Sequence, residues 1–124
     1  MNKIIDFKDL ISWQEGHNLV LLVYKITKLF PKEEIYGLVS QMRRAVVSIT
    51  SNIAEGFGRQ GYKEKIQFYY LAHGSLIELK NQIEIAKDLE FIDNETYKKL
   101  TGQSNKAHMI LQGLIKKSKE ILKS

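Results

Sequence analysis

Apolar side chains recur at alternating steps of three and four along nearly the whole chain. This spacing places them on one face of an α-helix, whereas a half-buried strand would alternate at every second residue. The clearest row lies in the last quarter of the sequence, at Tyr97, Leu100, Ser104, Ala107, Leu111, Leu114, Ser118 and Ile121. Strand alternation is not seen in any segment, so the sequence predicts an all-α fold.

Four segments carry the helical spacing, and short connections separate them. The first is expected to begin after Asp9, whose carboxylate suits an N-cap, and to end at Pro31, because the residue before a proline is pushed out of helical geometry. The second and third are expected at about 35–57 and 62–89, with a turn made by the glycines at 56, 58 and 61. Asp93 is expected to cap the fourth. This pattern predicts an antiparallel up-down-up-down four-helix bundle, with the whole 124-residue chain forming a single domain.

Composition excludes several kinds of protein. The chain has no cysteine and one proline, which excludes a disulfide scaffold, a thiolate metal site and a cysteine nucleophile. The longest apolar run, 19–24, is far shorter than the roughly 18–20 residues of a membrane span. The N-terminal stretch is charged before a signal-peptide core could form. We therefore expect a cytoplasmic protein without a membrane partner.

The three histidines do not have the spacing of a metal or catalytic site. Helical bundles that hold di-iron centres use Glu-x-x-His pairs, but the residues three positions before His17, His73 and His108 are glutamine, tyrosine and asparagine. Each histidine is instead expected to be hydrogen-bonded at the edge of the core. The glycine-rich stretch 56–61 follows a helix rather than a strand, so it does not predict a dinucleotide site. The sequence predicts no catalytic residue, metal or cofactor, and a protein that is not an enzyme.

A line of polar residues follows the non-core side of the second helix. Its members recur at helical steps, which places them on one face: Gln41, Arg44, Ser48, Asn52, Glu55 and Arg59. Serine and asparagine are poor choices for an exposed helix interior, because both compete for backbone hydrogen bonds. The favoured interpretation is a polar seam against another helix or a neighbouring subunit. The alternative is a surface whose arginines bind a phosphate or carboxylate. His73 and Glu78 on the third helix are candidate partners in either case.

The basic surplus is concentrated near the C-terminus. The chain has 19 basic and 14 acidic residues, a formal charge of +5. Seven lysines follow Tyr97 with Glu120 as the one acid among them, while the preceding residues are nearly neutral. Lysines without interleaved aromatic residues favour contact with a nucleic-acid backbone over base readout. The predicted nucleic-acid-binding residues are Lys98, Lys99, Lys106, Lys116, Lys117, Lys119 and Arg43.

Several stretches resemble a known family over nearly the whole chain. The most specific is 41–59, which contains Gln41-Met42-Arg43-Arg44-Ala45, Ser51-Asn52-Ile53-Ala54-Glu55-Gly56 and Gly58-Arg59. Trp13, Phe30-Pro31, Tyr36-Gly37-Leu38 and the segment 72–79 add to it. The chain resembles the small four-helix-bundle proteins encoded by intervening sequences of bacterial large-subunit rRNA genes.

The resemblance implies an up-down bundle assembled into a ring-shaped homopentamer. It also implies a link to the accessory protein of diversity-generating retroelements, which forms such a ring, binds nucleic acid through basic surfaces and associates with a reverse transcriptase. We therefore expect a ring-forming bundle that binds RNA or DNA non-specifically, as an accessory factor to a nucleic-acid enzyme. The alternative is a structural oligomer or protein-partner module without nucleic-acid binding.

Overall fold

The computed structural model describes residues 3–124 and is helical throughout, without a strand in that range. Short 3-10 helices precede the first and second long helices, at Phe7–Asp9 and Lys32–Glu34. The four long helices are α1 (Ile11–Thr27), α2 (Leu38–Phe57), α3 (Tyr62–Asp88) and α4 (Asn94–Lys123). The predicted all-α class is confirmed, although α1 and α2 are shorter at their facing ends than the apolar spacing indicated.

Each helix packs against two others, so the four helices close around one core. α1 contacts α2 and α4, and α3 contacts the same two helices. Short connections make consecutive helices antiparallel, which confirms the predicted up-down-up-down bundle. The α1–α2 and α3–α4 loops meet at one end, where the rings of Phe30 and Phe91 lie 5.4 Å apart. The opposite end is formed by the N-terminal segment, the α2–α3 turn and the last turns of α4.

The core contains most of the row predicted on α4, but Ile121 at the end of that row is exposed. The most deeply buried α1 side chains are Leu19 and Val23, with Gly16 against Thr50 of α2. Tyr24 and Leu29, both large apolar residues of the first segment, are exposed.

Helix caps were predicted correctly at α4 and wrongly at α1. Asp93 caps α4, where its carboxylate accepts a hydrogen bond from the Thr96 backbone N–H at 2.8 Å, and this bond lowers the pKa of Asp93. Asp9 does not cap α1. Its carboxylate instead accepts from the backbone N–H groups of Ile5 and Asp6, as part of a reciprocal cap on the first 3-10 helix. A carboxylate just before a helix can cap that helix or a short helix that precedes it. Here Asp9 takes part in the cap of the 3-10 helix, and α1 has no side-chain cap.

The end of α3 is closed by a left-handed residue that is not glycine. Glu90 has φ 62°. The backbone N–H of Phe91 donates to the carbonyl of Ala86, and that of Glu90 donates to the carbonyl of Lys87. This pair of bonds is a Schellman motif, and it directs the ring of Phe91 toward Phe30.

Gly56 has a packing role rather than the turn role predicted for it. It is buried within the last turn of α2, and the turn itself follows it. A Cβ atom at this position would lie 2.6 Å from Cε1 of Tyr69 and 3.0 Å from Cβ of Phe68. The α2–α3 crossing is therefore close enough to require glycine here.

Candidate functional site

The middle of the polar line on α2 forms a seam inside the bundle. The hydroxyls of Ser48 and Ser75 lie 2.8 Å apart across the α2–α3 interface. The Asn52 amide donates to the carbonyl and hydroxyl of Ser48, at 2.8 and 3.0 Å. The α3 partner of this seam is Ser75, and the expected partner His73 instead bonds to α4. Ser48 and Asn52 therefore contribute to packing between α2 and α3.

The two ends of the same polar line face solvent. Gln41 and Arg44 are exposed at one end. At the other end Arg59 pairs with Glu55 at 3.1 Å, and its guanidinium lies 4.6 Å from the centre of the Phe68 ring. An exposed pair of this kind contributes only about 0.2–0.5 kcal/mol. Because Gln41 and Arg44 are exposed, the end of the line near Arg44 is open to contact with another molecule.

An exposed apolar groove adjoins Arg44. It has a volume of about 560 Å³, and its walls include Tyr24, Ile35, Tyr36 and Val47. Tyr36 is 95% exposed. Exposed aromatic and aliphatic side chains in one contiguous patch are typical of a protein contact surface.

The residues predicted to bind nucleic acid do not form one surface. Lys98 and Lys99 lie at the start of α4, about 27 Å along the helix from Lys116 at ~1.5 Å per residue. Lys106 lies between them, and its ammonium is 3.5 Å from the Glu15 carboxylate. Arg43 is on another helix, where it donates to the Thr27 hydroxyl at 3.0 Å and stacks on the Tyr24 ring. Lys116, Lys117 and Lys119 are the predicted residues that come together.

Glu15 accounts for the position of Lys106. Its side chain and carbonyl both accept from the Gln103 amide at 2.9 Å, which joins α1 to α4. This hydrogen bond is the main cause of the lowered pKa of Glu15, with Asn18 and Lys106 contributing further. Lys106 therefore belongs to a structural contact between helices.

One end of the bundle carries most of the net positive charge, four of the five charges of the chain. We call this the basic end; it comprises the N-terminal segment, the α2–α3 turn with the flanking helix turns, and the last turns of α4. Five acids lie there: Asp6, Asp9, Glu55, Glu64 and Glu120. Nine basic side chains lie there: Lys3, Lys8, Arg59, Lys63, Lys65, Lys116, Lys117, Lys119 and Lys123. The rest of the chain is nearly balanced, with ten basic and nine acidic residues, because Glu33, Glu34 and several carboxylates around the α3–α4 loop offset its lysines.

Recesses flank the C-terminal part of α4 on both sides at the basic end. The first, here called the α3–α4 groove, has a volume of about 660 Å³ and is lined by Tyr70, His73, Gln112, Ile115, Lys116, Lys119, Glu120 and Lys123. The second is an apolar cleft of about 320 Å³ with Lys65 and Lys117 among its lining residues. Lys65 donates to the carbonyl of Phe57 at 2.6 Å, and burial lowers the pKa of Lys65. Its ammonium is engaged at the end of α2, which leaves the three lysines of the α3–α4 groove more open to a ligand.

A chain of polar side chains borders the α3–α4 groove. Nε2 of His73 lies 3.0 Å from Nε2 of His108, and the Lys80 ammonium lies 2.7 Å from Nδ1 of His108. Lys80 also donates to Asn105 at 3.0 Å. The prediction of hydrogen-bonded boundary histidines is confirmed for this half-buried pair. His17 is placed differently, stacked on Trp13 with ring centres 4.6 Å apart. Lys80 was not among the residues predicted from the sequence, although its spacing from His73 places both on one face of α3.

His108 makes stability depend on pH in a defined window. Burial, then Lys80 and His73, lower its pKa from the ordinary value of 6.5. The unfolded chain therefore binds this proton at higher pH than the folded chain does. The contribution of His108 to the free energy of unfolding is complete above pH 6.5 and decreases as the pH falls below that value. We expect the thermal midpoint to fall between pH 7.5 and pH 5.5, and scanning calorimetry measures it.

A matched variant identifies the histidine responsible. His108→Gln keeps an acceptor for Lys80 and a donor for His73 without a titrating ring, and we expect it to reduce the fall. Equal falls in wild type and His108→Gln would contradict this assignment. The carboxylates with lowered pKa values, Asp9, Glu15 and Asp93, affect stability only at lower pH.

Within residues 3–124, no group of three side chains suited to holding a metal ion is present, and no helix is long and apolar enough to cross a membrane. The fold and its surfaces define a small four-helix bundle with a basic end and an exposed apolar groove. The sequence model of the 23S rRNA-intervening sequence protein family matches residues 8–113. The chain belongs to this family, which confirms the resemblance drawn from the residues in 41–59.

Comparison with solved structures supports the fold. A crystal structure of a protein of unknown function from the S23 ribosomal protein family of Bacteroides thetaiotaomicron has a TM-score of 0.79 to this chain. It is 20% identical in sequence, and the match covers 86% of this chain and 99% of that chain. A search of curated proteins gives no match. The solved structure establishes the shared bundle.

Proposed function

We propose that this protein is a non-enzymatic, self-assembling bundle in the cytoplasm that binds RNA or DNA backbones non-specifically through its basic end. The observation that carries the proposal is the concentration of nine basic side chains against five acids at that end. Lysine ammonium groups displace counterions from phosphates without reading base edges. Assembly of several copies would repeat the charged end and strengthen its field.

A salt titration tests this function directly. We expect binding to mixed-sequence RNA and duplex DNA at 50 mM salt, with little preference among sequences. If about four phosphates are neutralised, affinity should fall about 100-fold between 50 and 200 mM salt. Fluorescence anisotropy with labelled oligonucleotides measures both quantities. Absence of binding at low salt, or an affinity that does not change with salt, would overturn the proposal.

Self-assembly without nucleic-acid binding is the second candidate function. The groove beside Arg44, with its exposed Tyr36, favours it. We assign to this surface the subunit contact of a ring, which the family resemblance suggests is a homopentamer. Under the first candidate function, a role as accessory factor to a nucleic-acid enzyme would use the same assembly to present several basic ends.

Substitution in the groove tests the assembly surface. We expect Tyr36→Asp to shift the protein from an oligomer toward the monomer, because it places a charge where an apolar side chain would be buried. Arg44→Ala should act in the same direction with a smaller effect. Analytical ultracentrifugation measures the distribution, and Lys116→Ala is the control that should leave it unchanged. A wild-type monomer, or a Tyr36→Asp protein that assembles normally, would refute this contact.

A further inference from the structure

The bonds between Lys80, His108 and His73 fix where the protons lie. A lysine ammonium can only donate, so Nδ1 of His108 accepts from Lys80 at 2.7 Å. Neutral His108 then carries its proton on Nε2 and donates it to Nε2 of His73 at 3.0 Å. Nε2 of His73 is thereby an acceptor, which places the proton of neutral His73 on Nδ1. A cation on α3 thus determines the tautomers of two rings at the α3–α4 interface.

This arrangement uses every ring lone pair of the two histidines. Nδ1 of His108 accepts from Lys80, and Nε2 of His73 accepts from His108. A metal ion would need one of these lone pairs, so the pair is not arranged as a metal site. The remaining ring group is the Nδ1–H of His73, which has no hydrogen-bond acceptor among residues 3–124.

His73 lines the α3–α4 groove together with groups that are mainly donors. Lys116, Lys119 and Lys123 contribute ammonium groups there, and Glu120 contributes the one carboxylate. The Lys119 ammonium lies 4.9 Å from the centre of the Tyr70 ring, at the same groove. A groove lined by one fixed N–H donor and three lysines suits a ligand that has several acceptor oxygens and negative charge. A phosphate group has both properties.

We propose that the α3–α4 groove is a phosphate-binding site. In this site His73 Nδ1–H donates to a phosphate oxygen, and Lys116 and Lys119 neutralise the charge of the phosphate. Lys80 is the positioning residue, because it sets the tautomer of His73 through His108. The phosphate belongs to a nucleic-acid backbone or to free phosphate, and the first of these rests on the proposed function. Lys80 acts through the histidines, so its contribution depends on its ability to donate to Nδ1 of His108.

Three variants test the site, with inorganic phosphate and a 12-nucleotide single-stranded RNA as separate probes. His73→Leu removes the fixed donor, and we expect both probes to bind about tenfold more weakly, as for a lost hydrogen bond to a charged group. Lys80→Met removes the donor to Nδ1 of His108, so both tautomers of His108 and His73 become accessible and binding should weaken several-fold. Lys80→Arg keeps a donor and should bind as wild type does. Lys99→Met removes the same charge at the far end of α4 and should cause a smaller loss. Circular dichroism establishes that each variant is folded.

Nitrogen-15 NMR of the histidine rings reports the tautomers independently of binding. In wild type and Lys80→Arg we expect Nδ1 of His73 to carry the proton, and in Lys80→Met a mixture of both tautomers. Unchanged tautomers in Lys80→Met, or equal losses of affinity in Lys80→Met and Lys99→Met, would overturn the positioning role. A folded His73→Leu protein that binds phosphate and RNA as wild type does would overturn the site itself.

The two probes separate this site from the proposed function. Phosphate binding that depends on His73, without RNA binding, would support the site and refute the nucleic-acid function. RNA binding that is unaffected by His73→Leu, while phosphate binding is weakened, would assign the site to free phosphate and leave the proposed function standing; if phosphate binding is also unaffected, the site is refuted and the function stands.

Discussion

Replacement of Gly56 by alanine is expected to lower the free energy of unfolding by about 2 kcal/mol, within the range for overpacked positions. The added Cβ would lie 2.6 and 2.9 Å from two ring carbons of Tyr69. Tyr69 is almost fully buried, so its ring has little room to move aside. Burial also raises the pKa of Tyr69 to about 12, consistent with a phenol held away from water. Urea denaturation measures the change, with the m-value as a check on two-state unfolding.

Gly102 provides the matched control. It lies within α4, and a Cβ built there meets nothing within 4 Å. Gly102→Ala should stabilise the protein by about 0.5–1 kcal/mol, because alanine is the better residue in a helix interior. Opposite signs at the two positions would show that helix contact rather than propensity accounts for glycine at 56. A Gly56→Ala protein as stable as wild type would contradict the close packing of α2 on α3.

The fold was largely predictable because helical periodicity is a local property of the sequence. On α4 the predicted inward positions Leu100, Ser104, Ala107 and Leu111 are all buried. The errors lie where two local solutions compete. Asp9 could cap either of two adjacent helical segments, and the apolar spacing alone did not show that Val23 is one of the most deeply buried residues of α1.

The candidate sites were less predictable, because they depend on how helices are placed against one another. Seven lysines in one segment were interpreted as one basic surface, yet a 30-residue helix separates Lys98 from Lys116 by most of its length. The contribution of the α2–α3 turn to the basic end follows only from the antiparallel arrangement. The bond between His73 and His108 joins residues 35 positions apart. The one sequence signal for this bond is that both histidines are polar residues beside the apolar rows of α3 and α4.

Replacement of two adjacent lysines at the basic end should weaken nucleic-acid binding far more than the same change at the other end of α4. In Lys116/Lys117→Gln we expect the slope of log affinity against log salt to decrease in magnitude by about two, and affinity at 50 mM salt to fall more than about tenfold. Lys98/Lys99→Gln should change either quantity much less, because Asp93, Glu95 and the carboxylates of the α3–α4 loop already reduce the positive potential there.

These two double variants have the same net charge and the same pair of substitutions on one exposed helix, so a difference between them reports position alone. Anisotropy titrations at four salt concentrations give both slopes, and sedimentation shows whether assembly is unchanged. Equal losses would mean that binding follows total charge along α4, as the sequence alone suggested. A larger loss in Lys98/Lys99→Gln would place the nucleic acid at the opposite end and refute the assignment to the basic end.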